Sequence, residues 1–206
     1  MWYSILIAVL AAYLLGNLNG AVCMSALLAH DDVRNHGSGN AGLTNFVRNY
    51  GAAKGVAVLV VDASKTVVAC LVGGLLLKAY DCQLIGMAIG GMSVMLGHAF
   101  PALLGFRGGK GILSGLFVAV VIDWRIAVII LAIFALIYAV TKYVSLASIL
   151  ASLAFAICFV VFHYDNLYVM IGGVLMGSLT IFMHRSNIVR LIKGEERKTN
   201  LFSKGK

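Results

Sequence analysis

The chain has few charges and very few carboxylates. Only 12% of its residues are charged, and Asp plus Glu number 8 in 206 residues. A typical soluble domain carries about 25% charged residues and roughly 45–50% apolar ones. This chain is 61% hydrophobic, with a mean hydropathy of +0.97. That leaves too little polar surface to cover a water-soluble globule, so the class is integral membrane protein. Proline occurs once, at Pro101, and no Pro- or Ser-rich linker separates the apolar blocks, so a single domain over 1–206 is expected. Four cysteines are present, Cys23, Cys70, Cys82 and Cys158. Three lie in apolar runs and none is spaced C-x-x-C, which argues against a disulfide scaffold or a metal site and for small core residues. Met1-Trp2-Tyr3 lacks the basic n-region of a signal peptide and no small-residue cleavage pattern follows it, so the first segment is read as a retained helix.

A membrane span needs about 20 apolar residues. Clear candidates are Tyr3–Leu28, Gly55–Leu77, Leu84–Leu104, Ser145–Phe162 and Leu167–Met183. Between them, Ile112–Ile122 and Ile126–Val140 are separated by Asp123-Trp124-Arg125, and the first of these is short. Charge placement decides whether both cross. With seven spans, one side receives thirteen basic residues: Arg34, Arg48, Lys54, Arg107, Lys110, Lys142, Arg185, Arg190, Lys193, Arg197, Lys198, Lys204 and Lys206. The other side receives only Lys78 and Arg125, while Lys65 falls inside a span. Basic loops face the cytoplasm. The expectation is therefore an all-α protein of seven transmembrane helices, N-terminus outside and C-terminus cytoplasmic, the short helix beginning near Gly108. Residues 1–183 form the bundle, and 184–206 a cytoplasmic active-site segment with a basic tail. The net charge of +8 is explained by topology and anionic lipid headgroups, and not by nucleic acid, because the basic residues form no single stripe.

The outer turns, around Asp81, Asp123 and Asp165, are short and offer little chemistry. Patterned polar residues gather on the cytoplasmic side. The first loop reads His36-Gly37-Ser38-Gly39-Asn40-Ala41-Gly42-Leu43-Thr44-Asn45-Phe46-Val47-Arg48. Its glycines allow successive backbone N–H groups to face one concavity, as in phosphate sites. Ser38, Asn40, Thr44 and Asn45 add donors, and Arg48 adds a planar cationic fork. A solvated turn would not need this density of anion donors. No G-K-[ST] follows, so it is not a Walker loop.

The second loop reads Gly97-His98-Ala99-Phe100-Pro101, then Phe106-Arg107-Gly108-Gly109-Lys110-Gly111-Ile112. Pro101 is expected to end or kink the preceding helix. Gly108, Gly109 and Gly111 around Lys110 open the next one, where backbone donors, a positive dipole end and an ammonium group converge on a second anion site. His98 fits a hydrogen-bonded structural role at least as well as a functional one. A third cluster, His184-Arg185-Ser186-Asn187-Ile188-Val189-Arg190, puts His184 and Asn187 on one face if the last helix continues. A histidine there can accept a proton or donate to phosphate. Arg190 and Lys193 read as positive-inside anchors. Ser145 and Ser148 begin a helix on the same side and either face this cavity or pack helices. Asp62 and Lys65, three residues apart inside a span, are an ion pair that is either functional or structural.

Two glycine-rich anion sites and a His/Asn site on one face suggest substrates bearing more than one phosphate. The strings Ser38-Gly39-Asn40-x-Gly42-x-Thr44-Asn45, Gly97-His98-x-Phe100-Pro101, Gly108-Gly109-Lys110-Gly111 and His184-Arg185-x-Asn187-Ile188 resemble, in order and spacing along the whole chain, the signature blocks of the PlsY family. Ala41 departs from the family's usual proline and Leu43 from its usual alanine, changes in loop stiffness or packing that remove no donor.

That resemblance implies a seven-helix bacterial acyl-phosphate:glycerol-3-phosphate acyltransferase, acting at the cytoplasmic face of the cytoplasmic membrane. It would take acyl phosphate and glycerol 3-phosphate as substrates and make lysophosphatidic acid. Matching positions gives Ser38, Arg48, Lys110, His184 and Asn187 as catalytic. It gives Gly39, Asn40, Gly42, Thr44, Asn45, Gly108, Gly109, Gly111, Ser148 and Arg185 as substrate-binding. No metal or cofactor is expected, lipids are the expected surroundings, and the oligomeric state is left open with a monomer favoured. Either His184 or a substrate phosphate takes the proton. The competing class is a small transporter of phosphate or organic phosphates, which would need a polar path to both faces, whereas the outer turns are minimal. A metal-dependent phosphotransferase would need an aspartate array, and only Asp31 and Asp32 lie near the active face.

Overall fold

The computed structural model describes residues 1–199. Lys204 and Lys206, counted above in the basic tail, lie outside the described residues. Among the described residues the chain forms ten α-helices and no strand. They are α1 (Trp2–Asn17), α2 (Gly20–Ala29), α3 (Leu43–Tyr50), α4 (Ala52–Lys78), α5 (Gln83–Ala99), α6 (Ile112–Ile122), α7 (Trp124–Thr141), α8 (Val144–Phe162), α9 (Leu167–Met183) and α10 (Arg185–Ile192). Five stretches are long and apolar enough to cross a bilayer: Trp2–Ala29, Ala52–Lys78, Gln83–Leu104, Trp124–Thr141 and Val144–Phe162. The α9–α10 pair, bent by 55°, makes a sixth if counted as one span. Their outward faces carry exposed Leu, Ile and Val along their length, as lipid contact requires.

Three expectations are corrected. The first span is not one helix, because it breaks at Leu18–Asn19. Asn19 caps α2 by accepting from the Val22 N–H at 3.1 Å. A break at membrane depth leaves backbone groups that no water can serve. Here Lys65 Nζ donates to Leu18 O at 2.7 Å and Gly16 O at 3.3 Å, and Asp62 Oδ1 accepts from Gly20 N–H at 3.1 Å. Asp62 and Lys65 are paired at 2.7 Å, so the intramembrane ion pair is real and satisfies both sides of the broken helix. Second, the short helix begins at Ile112 and not near Gly108. The preceding segment folds back on the end of α5, with Gly109 N–H donating to His98 O at 3.0 Å, and Gly111 sits at φ +83°, outside helical geometry. Third, the last helix does not run on through Asn187 but bends at His184.

Close backbone contact between helices is made by glycine. A Cβ on Gly97 of α5 would lie 2.2 Å from Tyr13 O of α1, and one on Gly90 would lie 2.3 Å from Ala69 O of α4. Small residues of this kind drive helix association where lipid removes the hydrophobic force between helices. α5 ends at Ala99, just before Pro101, as expected of a residue without an N–H. The larger apolar core lies among α5 to α9, around Val118, Ile126, Phe155, Phe159, Val169 and Met176.

The site's position follows from α6. It pairs antiparallel with α7, so that Ile112 and Phe134 line the same pocket. From Phe134, α7 runs seven residues further to Thr141, about 10 Å at 1.5 Å per residue. The Gly108–Gly111 segment is therefore recessed by that depth below the end of α7.

Replacing Gly90 by Val should cost about 1–3 kcal/mol through overpacking, read as a lower thermal midpoint in detergent. Gly172→Ala, whose new Cβ would meet only Ala88 Cβ at 3.6 Å, should leave the midpoint unchanged. Equal midpoints for the two variants would contradict the packing described.

Candidate active site

Four segments meet over the recess above α6: the loop before α3, the loop before α6, the bend at His184, and a strap at residues 195–199. The first loop is built around Asn45, in the first turn of α3. Its Nδ2 lies 3.0 Å from Val33 O, 3.0 Å from His36 O and 3.1 Å from Asn40 O, and its Oδ1 accepts from Ser38 N–H at 3.0 Å. Gly39 N–H donates to His36 O and Gly42 N–H to Asn40 O, each at 3.0 Å. The expected concavity of free backbone donors is therefore not what this loop presents, since these N–H groups and the Asn45 carboxamide are committed to the loop itself. Ser38 and Gly39 remain exposed and Asn40 half-buried, and all three line an open cavity of about 240 Å³. Thr44 stands in the first turn of α3, half-buried.

The same cavity is lined by Lys110, Met183, Arg185, Ser186 and Arg190. Lys110 Nζ donates to Asn187 Oδ1, whose Nδ2 donates to Glu196 Oε1 at 2.8 Å. Glu196 Oε2 accepts from Arg190 Nε at 2.8 Å. The strap is tied down by Thr199, whose hydroxyl accepts from Arg48 Nη2, whose carbonyl accepts from Tyr138 at 2.8 Å, and whose N–H donates to Lys142 O at 3.0 Å. Arg48, Lys110 and Arg190 thus gather around a single carboxylate, and Arg185 lines the same cavity from its rim, leaving an excess of positive charge there.

Burial, with Arg190 and Arg48 nearby, pushes the Lys110 amine down to about 8, against the opposing pull of Glu196. Burial works to raise the Glu196 carboxyl, but the hydrogen bonds from Asn187 and Arg190 outweigh it and hold it below its ordinary value. His184, the first residue beyond α9, is buried, and burial with the Lys110 charge brings it down to about 4. Its Nδ1 lies 2.8 Å from Thr180 O. A carbonyl can only accept, so Nδ1 carries the proton and Nε2 keeps a lone pair.

Of the residues singled out in the sequence, the structure brings together Ser38, Asn40, Lys110, His184, Arg185 and Asn187, with Arg48 joined through Thr199. Ser148 is buried in α8, its carbonyl taken by Ser152. Ser145, one turn nearer the strap, lies beside Glu196 without hydrogen-bond geometry. Gly108 and Gly109 lie against the end of α5, where a Cβ would fall 2.0 Å from His98 O and 2.2 Å from His98 Nε2 respectively. Three contributors escaped the sequence reading. Arg190, read as an anchor, lines the cavity; Glu196 is its resident carboxylate; Thr199 anchors Arg48. Only the spacing Arg190 to Glu196, either side of Gly194, hinted that the chain turns back. Among the described residues no three His, Cys, Asp or Glu side chains lie close enough to hold a metal ion.

Sulfate keeps one charge state across the neutral range, so its binding reports the protein's own charge. Affinity should fall as pH rises through about 8, where Lys110 loses its proton. In Lys110→Met, calorimetry should find at least about tenfold weaker binding that no longer varies there. A pH-independent wild-type affinity would refute the assignment.

Comparison with known proteins bears on the whole chain. A family model described as glycerol-3-phosphate acyltransferase matches residues 6–194. A protein named glycerol-3-phosphate acyltransferase from Thermoanaerobacter sp. (strain X514) is 39% identical over 196 residues, covering 95% of this chain and 96% of that protein. One of the same name from Finegoldia magna is 35% identical over the same coverage. The crystal structure of PlsY (YgiH), an integral membrane glycerol 3-phosphate acyltransferase, in its glycerol 3-phosphate form, superposes with a TM-score of 0.85 at 32% identity, covering 97% of this chain and 100% of that one. Its lysophosphatidic acid form gives 0.83 at 32% identity, over 96% of each chain. The α-helical fold agrees with these relatives, and the chain belongs to the glycerol-3-phosphate acyltransferase family of integral membrane enzymes.

Proposed function

We propose that this protein moves a fatty acyl group from acyl phosphate to the sn-1 hydroxyl of glycerol 3-phosphate, giving lysophosphatidic acid and phosphate. The observation that carries the reading is the cationic cavity sitting directly on an apolar one. A narrow, half-open apolar pocket, lined by residues such as Leu116, Ile130, Phe134, Phe155 and Met176, reaches up to Ile112 and Thr180. Thr180 is the residue that holds His184. An acyl phosphate fits that sequence of surfaces, chain below and phosphate above, with glycerol 3-phosphate beside it. Ser38, Asn40, Arg48, Lys110, Arg185, Asn187 and Arg190 hold the two anions, while Asn45 and the glycines shape the loops.

The reaction needs little from protein acids and bases. Acyl phosphate is a mixed anhydride whose leaving group is already good. The C1 hydroxyl oxygen attacks the acyl carbon, the bond from that carbon to the phosphate oxygen breaks, and the hydroxyl proton leaves with the phosphate as hydrogen phosphate. Alignment of the two reactants and fixed positive charge supply the rate. A histidine brought down to about 4 is a weak base, whereas a phosphate monoester dianion takes a proton already near pH 6. Substrate phosphate is therefore the proton acceptor for the C1 hydroxyl, and His184 Nε2 orients glycerol 3-phosphate by accepting a hydrogen bond from its C2 hydroxyl.

Seven crossings support this geometry, in one domain. The exposed aromatics Trp2, Tyr3, Tyr80, Trp124, Tyr164 and Tyr168 mark the N-terminus and alternate turns. Tyr80 lies beside the N-terminal amine and Ser4, and His163 lies 3.6 Å from Asp123, two contacts that fit these turns sharing one end. The basic loops gather at the other, so the positive-inside bias puts the cavity on the cytoplasmic face of a bacterial cell membrane. A transporter would need a polar route past α6, and the pocket below the cavity is apolar.

Purified protein should convert palmitoyl phosphate and labelled glycerol 3-phosphate to lysophosphatidic acid and leave palmitoyl-CoA unused. Uptake into vesicles without product would overturn the reading in favour of transport. Lys110→Ala should lower turnover by about 10²-fold or more, and near-normal turnover would reduce Lys110 to a topology charge. His184→Gln, which keeps an acceptor, should stay within about tenfold of wild type, while His184→Ala should lose about 10²-fold. A dead but folded His184→Gln would make His184 the base.

A further inference from the structure

His98 is placed in no role by the acyl-transfer reading, yet it is buried where the two substrate loops meet the bundle. It sits in the last turn of α5 and is 4% exposed. On one edge, its Nδ1 lies 3.0 Å from Lys65 Nζ. Lys65 is itself fixed by Asp62 Oδ1 at 2.7 Å and Leu18 O at 2.7 Å. An ammonium only donates, so Nδ1 accepts and the imidazole proton is on Nε2. The Nε2 edge faces the loops: a Cβ on Gly109 would lie 2.2 Å from His98 Nε2 and 2.6 Å from Ala41 O. Gly109 immediately precedes Lys110, and Ala41 lies in the Ser38–Gly42 segment. The backbone of each loop is also tied to the same place, since Gly109 N–H donates to His98 O at 3.0 Å and Ala41 O accepts from Asn19 Nδ2 at 3.0 Å.

We propose that His98 is a positioning residue for acyl transfer: held by the Asp62–Lys65 pair, its ring is the fixed surface against which Gly109 and Ala41 seat, and so sets where Lys110 presents its charge. The inference rests on the function proposed above. Helix packing alone does not call for this arrangement. α1, α4 and α5 already meet through glycine contacts, and a buried ion pair is a weak source of stability compared with apolar side chains of the same size. The ring does for the loops what helix packing cannot, because a segment of Gly108, Gly109 and Gly111 has no side chains of its own to fix its register. Misplacement of a catalytic group by about 1 Å can cost about 10²-fold in rate.

The test compares His98→Ala, His98→Asn, Lys110→Ala and the double variant His98→Ala/Lys110→Ala in purified full-length protein. Turnover of palmitoyl phosphate with glycerol 3-phosphate, both KM values and the thermal midpoint are read for each. His98→Asn keeps a carboxamide oxygen for Lys65 but withdraws the ring from Gly109. It should therefore melt like wild type while kcat falls by about 10²-fold. His98→Ala should lose as much in the wild-type background but less than about threefold in the Lys110→Ala background, because the two residues act through one geometry. Wild-type kcat in His98→Asn would overturn the proposal and leave His98 a structural acceptor for Lys65. Equal losses from His98→Ala in both backgrounds would overturn it as well. Should His98→Ala fail to fold, His98→Asn, alone and combined with Lys110→Ala, carries both comparisons. Inactivity of the wild-type protein would instead refute the function itself, which separates the two failures.

Discussion

Positive charge has to be concentrated next to hydrocarbon without an equal count of carboxylates, and the rest of the structure follows from how this is done. Lys110, Arg185 and Arg190 line one cavity from two segments of chain, Arg48 of α3 joins them through Thr199, and among the described residues Glu196 is the one carboxylate bonded within the group. Like charges so placed repel, and the cost rises as water is withdrawn. The chain answers in two ways. Neutral acceptors such as the Asn187 carboxamide and the Thr199 hydroxyl take hydrogen bonds from the cations. Lys110 itself is left only loosely protonated, with its amine brought down to about 8. Both devices keep the cavity ready for anions without filling it with fixed ones.

The same logic governs the deeper pair. Breaking the first span at Leu18–Asn19 opens backbone groups that lipid cannot satisfy. Asp62 and Lys65 close that gap from α4, and the α1–α2 break in turn lets Asn19 reach Ala41 in the first substrate loop. A polar defect in the bundle and the shape of the cavity are therefore one problem with one solution. The question of whether such a pair is structural or functional has no single answer here, because the groups that satisfy the broken helix also support the loop.

Much of this was legible in the sequence, because the governing signals are local. Apolar runs and basic loops mark the helices and the end at which the polar segments gather, and the glycine-rich strings mark the loops. Ser38, Lys110, His184 and Asn187 were singled out by residue type and spacing, and the fold brings them to one end. What escaped depends on contacts across the fold. Arg190 looked like any interfacial arginine until the chain turned back at Gly194 and brought Glu196 to it. Asn45 looked like a phosphate donor, yet its carboxamide closes the loop on itself, an outcome set by three carbonyls up to twelve residues away in sequence. The start of α6 was placed too early because Gly-rich segments are compatible with a helix terminus, and only the tie from Gly109 to His98 shows them folded against α5 instead.

That late start is also what suits the fold to an amphiphilic donor. A fatty acyl phosphate in a bilayer keeps its phosphate at the headgroups and its chain in hydrocarbon, so its acyl carbon lies at the boundary. A site built level with the helix ends would have to lift that carbon into water, exposing several methylenes at about 0.8 kcal/mol each. Because α6 has only 11 residues, against 18 in α7, the Lys110 segment lies below the end of α7, and the apolar pocket begins at Ile112 just beneath it. In the proposed reaction, glycerol 3-phosphate, which is soluble, is taken from the open polar side that Ser38 and Asn40 line. On this view the shortness of one helix, which made the sequence hard to parse as a span, is the feature that lets a water-soluble acceptor and a lipid-bound donor meet without either leaving its own phase.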